Sequence, residues 1–301
     1  MSVSHHHTIK ESAGKNLLLS IVLNCIITIA QVVGGIISGS LSLLSDALHN
    51  FSDVLSLIIS YIANRLVKRK ASMQKTFGFK RAEVMAAFIN AVSLIVIAII
   101  LIVEAVKRLR EPQFIENSVV ILLSALAIVA NGLSVVILRK DSHHNMNMRS
   151  AYIHLITDMM ASIAVLIGGL LIRFYQLFWV DSILTFVIAI YLVIMGYDLL
   201  KSSFKILMLF TPEDIQVEEL ILEINKLPYV INIHHVHIWQ LNEDEVHLEA
   251  HVDFMENISL EKFSVFLKEI ETILAEKYGI NHVTLQPEFG MGGDKNIIVQ
   301  D

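Results

Sequence analysis

Cysteine, proline and charge are all scarce in this chain. Its single cysteine, Cys25, lies in an apolar run, so no internal disulfide can form and no thiolate metal cluster can be built. A small buried thiol is the plain reading of it. Charged residues make up only 17% of the chain, against roughly a quarter in soluble domains. Hydrophobic residues reach 54% and the mean hydropathy is +0.62. So much apolar surface calls for a solvent other than water. No H-E-x-x-H occurs, which removes the common zinc-peptidase arrangement. No A-x-A-like cleavage site ends the first apolar stretch, which is too long for a signal-peptide core and is expected to stay as a span. The net charge of -6 says little, because the acids gather in the C-terminal third, and no nucleic-acid partner is expected.

What is present is a series of long apolar runs. A spanning helix needs about 20 mostly apolar residues. Leu17–Ile37, Leu41–Ala63, Val84–Val106, Ser118–Leu138, Ala151–Ile172 and Phe178–Tyr197 all qualify, predicting six transmembrane helices. Ser38-Gly39-Ser40 leaves room only for a tight hairpin between the first two. Arg65, Lys68, Arg69, Lys70, Lys75, Lys80 and Arg81 follow the second run, and Arg139, Lys140 and Arg149 follow the fourth. The opposite side holds only Lys107, Arg108, Arg110 and Arg173. Basic loops stay in the cytoplasm, so both termini are expected there.

After Thr211-Pro212 the pattern changes. Pro212–Asn225 predicts an amphipathic helix with Glu213 and Asp214 in its first turn. Val230–Leu241 and Val246–Phe254 predict strands, the second alternating Val246, Leu248, Ala250, Val252 and Phe254 with His247, Glu249, His251 and Asp253. Leu260, Phe263, Phe266, Leu267, Ile270, Ile273 and Leu274 mark one face of a helix, and His282–Gln286 predicts a last strand. The order αββαβ predicts a small α+β domain of the ferredoxin-like kind. The expected divisions are an N-terminal cytosolic tail over 1–15, a six-helix membrane domain over 16–210, a cytosolic domain over 211–289 and a disordered tail over 290–301.

One weak repeat carries chemistry. Ser45-x-x-x-His49-x-x-x-Asp53 in the second run matches Ser150-x-x-x-His154-x-x-x-Asp158 in the fifth. The copies lie three spans apart, so they cross the membrane in opposite directions, the inverted three-helix repeat of secondary transporters. Residues four apart share a helix face, so each histidine points with its aspartate. Ionisable groups at membrane depth cost about 2.5–3.5 kcal/mol each. Two imidazoles and two carboxylates form an N2O2 set suited to tetrahedral Zn²⁺, or else simply hydrogen-bond to one another. Asp46 lies on the same face as His49 and either orients its ring from behind or pairs locally.

These residues resemble the cation diffusion facilitator family of zinc exporters. The likeness rests on Ser42-Leu-Leu-Ser-Asp46-Ala-Leu-His49-Asn-Phe-Ser-Asp53 with His154-x-x-x-Asp158, and on Phe77-Gly-Phe-Lys-Arg81-Ala-Glu83. It extends to His234-His-Val-His237-Ile-Trp239 and His282-Val-Thr-Leu-Gln286-Pro-Glu288. The resemblance implies a homodimer that exchanges cytosolic metal for protons, with His49, Asp53, His154 and Asp158 as the transport site. It also implies His234, His251 and Glu288 as a possible second metal site; the alternative is ordinary polar residues on an open sheet face or a dimer seam. His5, His6 and His7 either donate to that domain or form a plain tail. The loop Lys70–Lys80 lacks the His and Asp ligands some relatives carry there, so no site is expected in it. The long His-rich loop of eukaryotic relatives shrinks to Asp141-Ser-His143-His144-Asn145, which suggests a bacterial inner membrane by analogy.

Neutral His and ionised Asp are needed to bind metal, so protons and Zn²⁺ compete for the same atoms. The expected function is export of divalent metal, zinc first, by proton-driven alternating access, with no covalent step, no enzymatic activity and no cofactor. Cd²⁺, Co²⁺, Fe²⁺ or Mn²⁺ are the alternative cargoes. A membrane metal sensor and an intramembrane metalloenzyme are the rival classes.

Overall fold

The computed structural model describes residues 4–67, 69–139, 146–291 and 295–298. The expected His143–His144 loop lies outside them. Among these residues, eight helices and three strands follow in order: α1 (Ser4–Ser38), α2 (Leu41–Val67), α3 (Ala82–Arg110), α4 (Asn117–Leu138), α5 (Met146–Tyr175), α6 (Trp179–Leu207), α7 (Val217–Ile224), β1 (Val230–Gln240), β2 (Val246–Phe254), α8 (Leu260–Tyr278) and β3 (His282–Glu288). His5, His6 and His7 fall on the first turns of α1, where only the backbone is described.

Five helices among the described residues are long and apolar enough to cross a membrane: α1, α3, α4, α5 and α6. The sixth expected span, α2, is as long but polar in its first half, through Ser42, Ser45, Asp46, His49, Asn50, Ser52 and Asp53. Large apolar side chains such as Ile29, Ile100, Leu122, Val136 and Val187 face outward, the pattern of helices solvated by lipid. Gly39 sits at φ +72° between α1 and α2, the left-handed conformation that glycine adopts without strain. Four residues earlier, a side chain at Gly35 would stand 3.1 Å from the backbone of Leu44, so its absence lets α1 and α2 approach closely. Inside, α4 packs against α1 and α5, and Leu43, Val120, Val165 and Ile172 form one apolar cluster.

The C-terminal elements form a small α+β domain. β2 is central, antiparallel to β1 and parallel to β3. A parallel pair needs a crossover, and α8 supplies it. Ser259 caps α8 by accepting from the Lys262 N–H at 3.3 Å, and Gly279 ends it at φ +66°. Ile270 and Leu274 of α8 bury against Leu220, Ile224, Leu248 and Phe254, with Phe263, Phe266, Leu267 and Ile273 around them. Leu260, expected on that face, is the first residue of α8 and is 79% exposed.

Two expectations are corrected here. The helix predicted from Pro212 begins only at Val217, with Glu218 and Glu219 in its first turn. A turn closed by the Ile215 N–H on the Pro212 carbonyl precedes it, and Ile215 is buried from that turn, which imitates helical spacing. The tail was expected to be disordered over 290–301, yet the His235 and Val236 N–H groups donate to the carbonyls of Asn296 and Ile297 at 3.1 and 2.8 Å. β1 is an edge strand with an irregular register between His234 and His237, and edge N–H groups seek such partners.

The chain divides into two compact units, Met1–Ile59 with Ile89–Leu199, and Ser60–Phe88 with Leu200–Asp301. The second takes in the loop after α2. Lys80 Nζ lies 2.6 Å from Glu245, and the Phe77 ring stands edge-on to His247.

Candidate metal centres

The first centre lies in the helical unit. His49 and Asp53 are one turn apart on α2, as are His154 and Asp158 on α5. The structure brings the two pairs together. His154 Nε2 is 3.2 Å from Asp53 Oδ2 and 3.6 Å from Asp158 Oδ2. His49 Nε2 is 3.7 Å from Asp158 Oδ1, and His49 Nδ1 is 3.7 Å from Asp53 Oδ2. Donors about 2.0–2.2 Å from a tetrahedral ion stand about 3.3–3.6 Å from one another, so these separations lie close to those a bound ion would impose. His49 Nδ1, Asp53 Oδ2 and both Asp158 oxygens are buried without a hydrogen-bond partner. Buried polar atoms are otherwise almost always satisfied, so four such atoms on neighbouring residues make this a candidate place for a cation. The set is linked edge by edge; a donor from each of three residues does not yet converge within 4.8 Å. The access is uneven. His49 and Asp158 are enclosed, whereas the side chains of Asp53 and His154 are 32% and 36% exposed.

Asp46 was expected to pair locally or to orient His49. Its Oδ2 instead accepts from Gln31 Nε2 on α1 at 2.8 Å and from Ser162 Oγ on α5 at 3.1 Å. It ties three helices together beside the centre. Asn50 Nδ2 donates in turn to Gln31 Oε1 at 3.4 Å. Sequence reading missed Gln31 and Ser162, single polar residues inside apolar runs. It also missed Tyr191, whose ring stands edge-on to His49 at 6.2 Å. A second omission is Asp181 at the start of α6. Its carboxylate accepts from the N–H groups of Leu41 and Ser42 at 2.8 and 3.2 Å and from the hydroxyls of Ser40 and Ser42. An anion at the N-terminus of α2 complements its dipole and satisfies N–H groups the helix leaves open.

The second centre lies in the α+β domain. His234 on β1 pairs in register with His251 on β2, and Asp253 on β2 with Glu288 on β3. His251 Nδ1–H donates to Glu288 Oε1 at 2.8 Å, and His234 Nε2 is 3.5 Å from Glu288 Oε2. Among the described residues, His234, His251 and Glu288 are the one trio whose donor atoms all lie within 4.8 Å of each other. The polar face of β2 is not open, as alternation alone implied: His247 and Asp253 are buried. His247 stacks on Trp239 and lies against His282. Lys295, from the tail, donates to Asp253 and to Glu288 Oε2 at 2.8 Å. That ammonium holds the Glu288 carboxyl below the usual range. Burial holds the His234 imidazole below its usual value, and Lys295 adds to the effect.

Comparison with known proteins follows the same division. Residues 17–208 match the family described as the cation efflux transmembrane domain, and residues 212–289 match the cation efflux protein cytoplasmic domain. The chain is 35% identical over 300 residues to a cadmium, cobalt and zinc/H(+)-K(+) antiporter of Bacillus subtilis, covering 99% of this chain and 96% of that protein. It is 33% identical to the metal cation efflux system protein CzcD of Cupriavidus metallidurans, over 96% of this chain and 90% of the relative. It is 31% identical to the zinc transporter ZitB of Escherichia coli, over 96% and 93%.

Proposed function

This chain belongs to the cation efflux family, and from that premise we propose that it exports a divalent metal, zinc first, from the cytoplasm in exchange for protons. The observation that carries the reading is the meeting of the α2 and α5 H-x-x-x-D pairs, with four buried polar atoms among them that have no hydrogen-bond partner. Two nitrogens and two oxygens suit Zn²⁺, and a 2+ ion at their centre offsets both carboxylates.

The uneven access supports an inward-facing site. Asp53 is the residue of its pair nearer the basic loop after α2, and His154 is the one nearer the loop before α5. These two are the half-exposed ones, whereas His49 and Asp158 lie deeper and enclosed. If the basic loops are cytoplasmic, the ion meets Asp53 and His154 first. It then draws in His49 and Asp158 and displaces protons from the imidazoles. Rocking of the inverted halves exposes the site outside, where protons reload the histidines. Six spans with α2 as the polar one, cytoplasmic termini, a bacterial inner membrane and a homodimer complete the reading. His234, His251 and Glu288 would hold a regulatory metal, which would tie β1, β2 and β3 through one ion.

The test is uptake into proteoliposomes with Zn²⁺, Cd²⁺, Co²⁺ and Mn²⁺ under set gradients. The name of the Bacillus subtilis relative includes potassium, so proton and potassium gradients are imposed separately. Zinc flux that follows the pH gradient is expected. Flux indifferent to it would remove the proton exchange, and no flux of any ion would remove transport.

A further inference from the structure

The ammonium of Lys295 stands in the second centre as a ready-made cation. It reaches Asp253 Oδ2 at 2.9 Å and Glu288 Oε2 at 2.8 Å. Glu288 is the one carboxylate of the trio that would hold metal, and the same oxygen faces His234 Nε2 at 3.5 Å. A divalent ion and an ammonium cannot both occupy that corner: each wants the Glu288 lone pairs, and their charges repel.

Lys295 is held by its backbone as well. The next two residues, Asn296 and Ile297, accept the N–H groups of His235 and Val236 on β1. His235 stands at φ +50° beside the irregular register of β1, where the strand turns its N–H groups out of the β2 ladder. The tail thus lies as a strap over the strand that carries His234. The strap also walls a groove whose other side is Thr211–Glu218, the segment leading from α6 into α7. Thr211 is itself bonded to the Ile238 carbonyl of β1 at 3.2 Å.

The geometry points to a tethered-cation lock: metal binding at His234, His251 and Glu288 expels Lys295 and lifts residues 295–298 off β1. The inference rests on the reading of that trio as a metal site. It adds that the site senses metal by exchange of one cation for another, and that the exchanged cation reports to the α6–α7 segment. Charge at the cluster is kept compensated in both states, by the ammonium or by the ion. Buried carboxylates without a counter-charge are costly, so the lock lets the site persist without metal. It also sets a threshold. A strap closed about nine-tenths of the time weakens the apparent metal affinity about tenfold, because only the open fraction binds.

The test uses the full chain in nanodiscs, with Asp53→Asn and Asp158→Asn disabling the membrane site so that zinc titration reads the cluster alone. His251→Ala in this background reports whether the cluster is the site titrated. Amide hydrogen exchange at His235 and Val236 reads the strap. Zinc is expected to speed exchange at those two amides while the β1–β2 ladder stays protected. Lys295→Met, which keeps the stem and removes the charge, is expected to bind zinc about tenfold more tightly and to show fast exchange before zinc is added. Zinc binding that His251→Ala abolishes, with unchanged or slower exchange at His235 and Val236 and equal affinity in Lys295→Met, would overturn the lock and leave the metal site standing. Zinc binding that His251→Ala does not alter would overturn the site and the lock together.

Discussion

Asp158 is the most enclosed of the four membrane donors, at 1% exposure, and neither of its oxygens has a hydrogen-bond partner. His49 Nε2 and His154 Nε2 stand 3.7 and 3.6 Å from its two oxygens. Replacing Asp158 or Asp53 with Ala removes half the anionic ligands, so vesicle zinc flux should fall by about a hundredfold or more while the protein still inserts. Wild-type flux in either variant would sink the four-ligand site. His49 lies against both carboxylates at 3.7 Å. His49→Asp therefore gathers three carboxylates, trades a nitrogen for an oxygen and replaces a neutral ligand by an anionic one. We expect Cd²⁺ or Mn²⁺ to be carried beside Zn²⁺, with the metal ratio moving on the order of tenfold and the pH profile shifting. Equal ratios and profiles in parallel flux assays would show that His49 is not a ligand in the rate-determining state. Asp46 acts differently, since it receives Gln31 and Ser162. Asp46→Ala leaves both donors buried and unpaired, at a cost of about 1–3 kcal/mol.

At the scale of elements, α2 is positioned by a residue from another helix. Asp181 holds the N–H groups that open α2, and the centre sits two to three turns further along. Asp181→Ala should lower stability by about 1–3 kcal/mol, read as an earlier thermal midpoint in detergent. Part of the zinc affinity should go with it, because His49 and Asp53 lose their fixed base. An unchanged midpoint would mean that water replaces the carboxylate without loss. The sheet of the C-terminal domain has its own pH dependence. Burial holds the imidazoles of His234 and His247 below their usual 6.5. The unfolded chain therefore takes up protons there that the folded domain refuses. Stability is full above about pH 6.5 and falls as the pH drops through that value. Glu288, held below its usual 4.5, adds stability that is lost only as the pH falls beneath 4.5. Denaturant unfolding at pH 8, 6.5 and 5 should show a falling midpoint, and His247→Phe, packed against Trp239, should flatten the slope. Equal midpoints at pH 8 and pH 5 would contradict this.

For the whole molecule, the two compact units imply a division of labour. The membrane centre draws its ligands and its supports, Gln31, Ser162 and Asp181, from the first unit alone. Ending the chain after Pro212 should slow flux or weaken dimer assembly without abolishing zinc binding at His49 and His154. An assembled, truncated dimer that binds no zinc there would refute the division. Much of this was legible in residue order. Long apolar runs must become helices in lipid, where every backbone group needs an internal partner. A spacing of four sets His and Asp on one helix face whatever the surroundings. Alternation of apolar residues in β2 set its inner face and so the αββαβ domain. What residue order could not reach were contacts between distant parts of the chain. Asp46 was equally able to serve His49 or Gln31, since both lie within reach of its face, and only the packing of α1 and α5 against α2 chose between them. Asp181 and Lys295 carry no local pattern at all. Asp181 reaches Leu41, 140 residues away, and Lys295 reaches Asp253, 42 residues away, and local propensity holds no information at those ranges. Tertiary structure alone decided where those two charges went, because a buried or half-buried charge settles wherever the fold offers it opposite charge or open N–H groups.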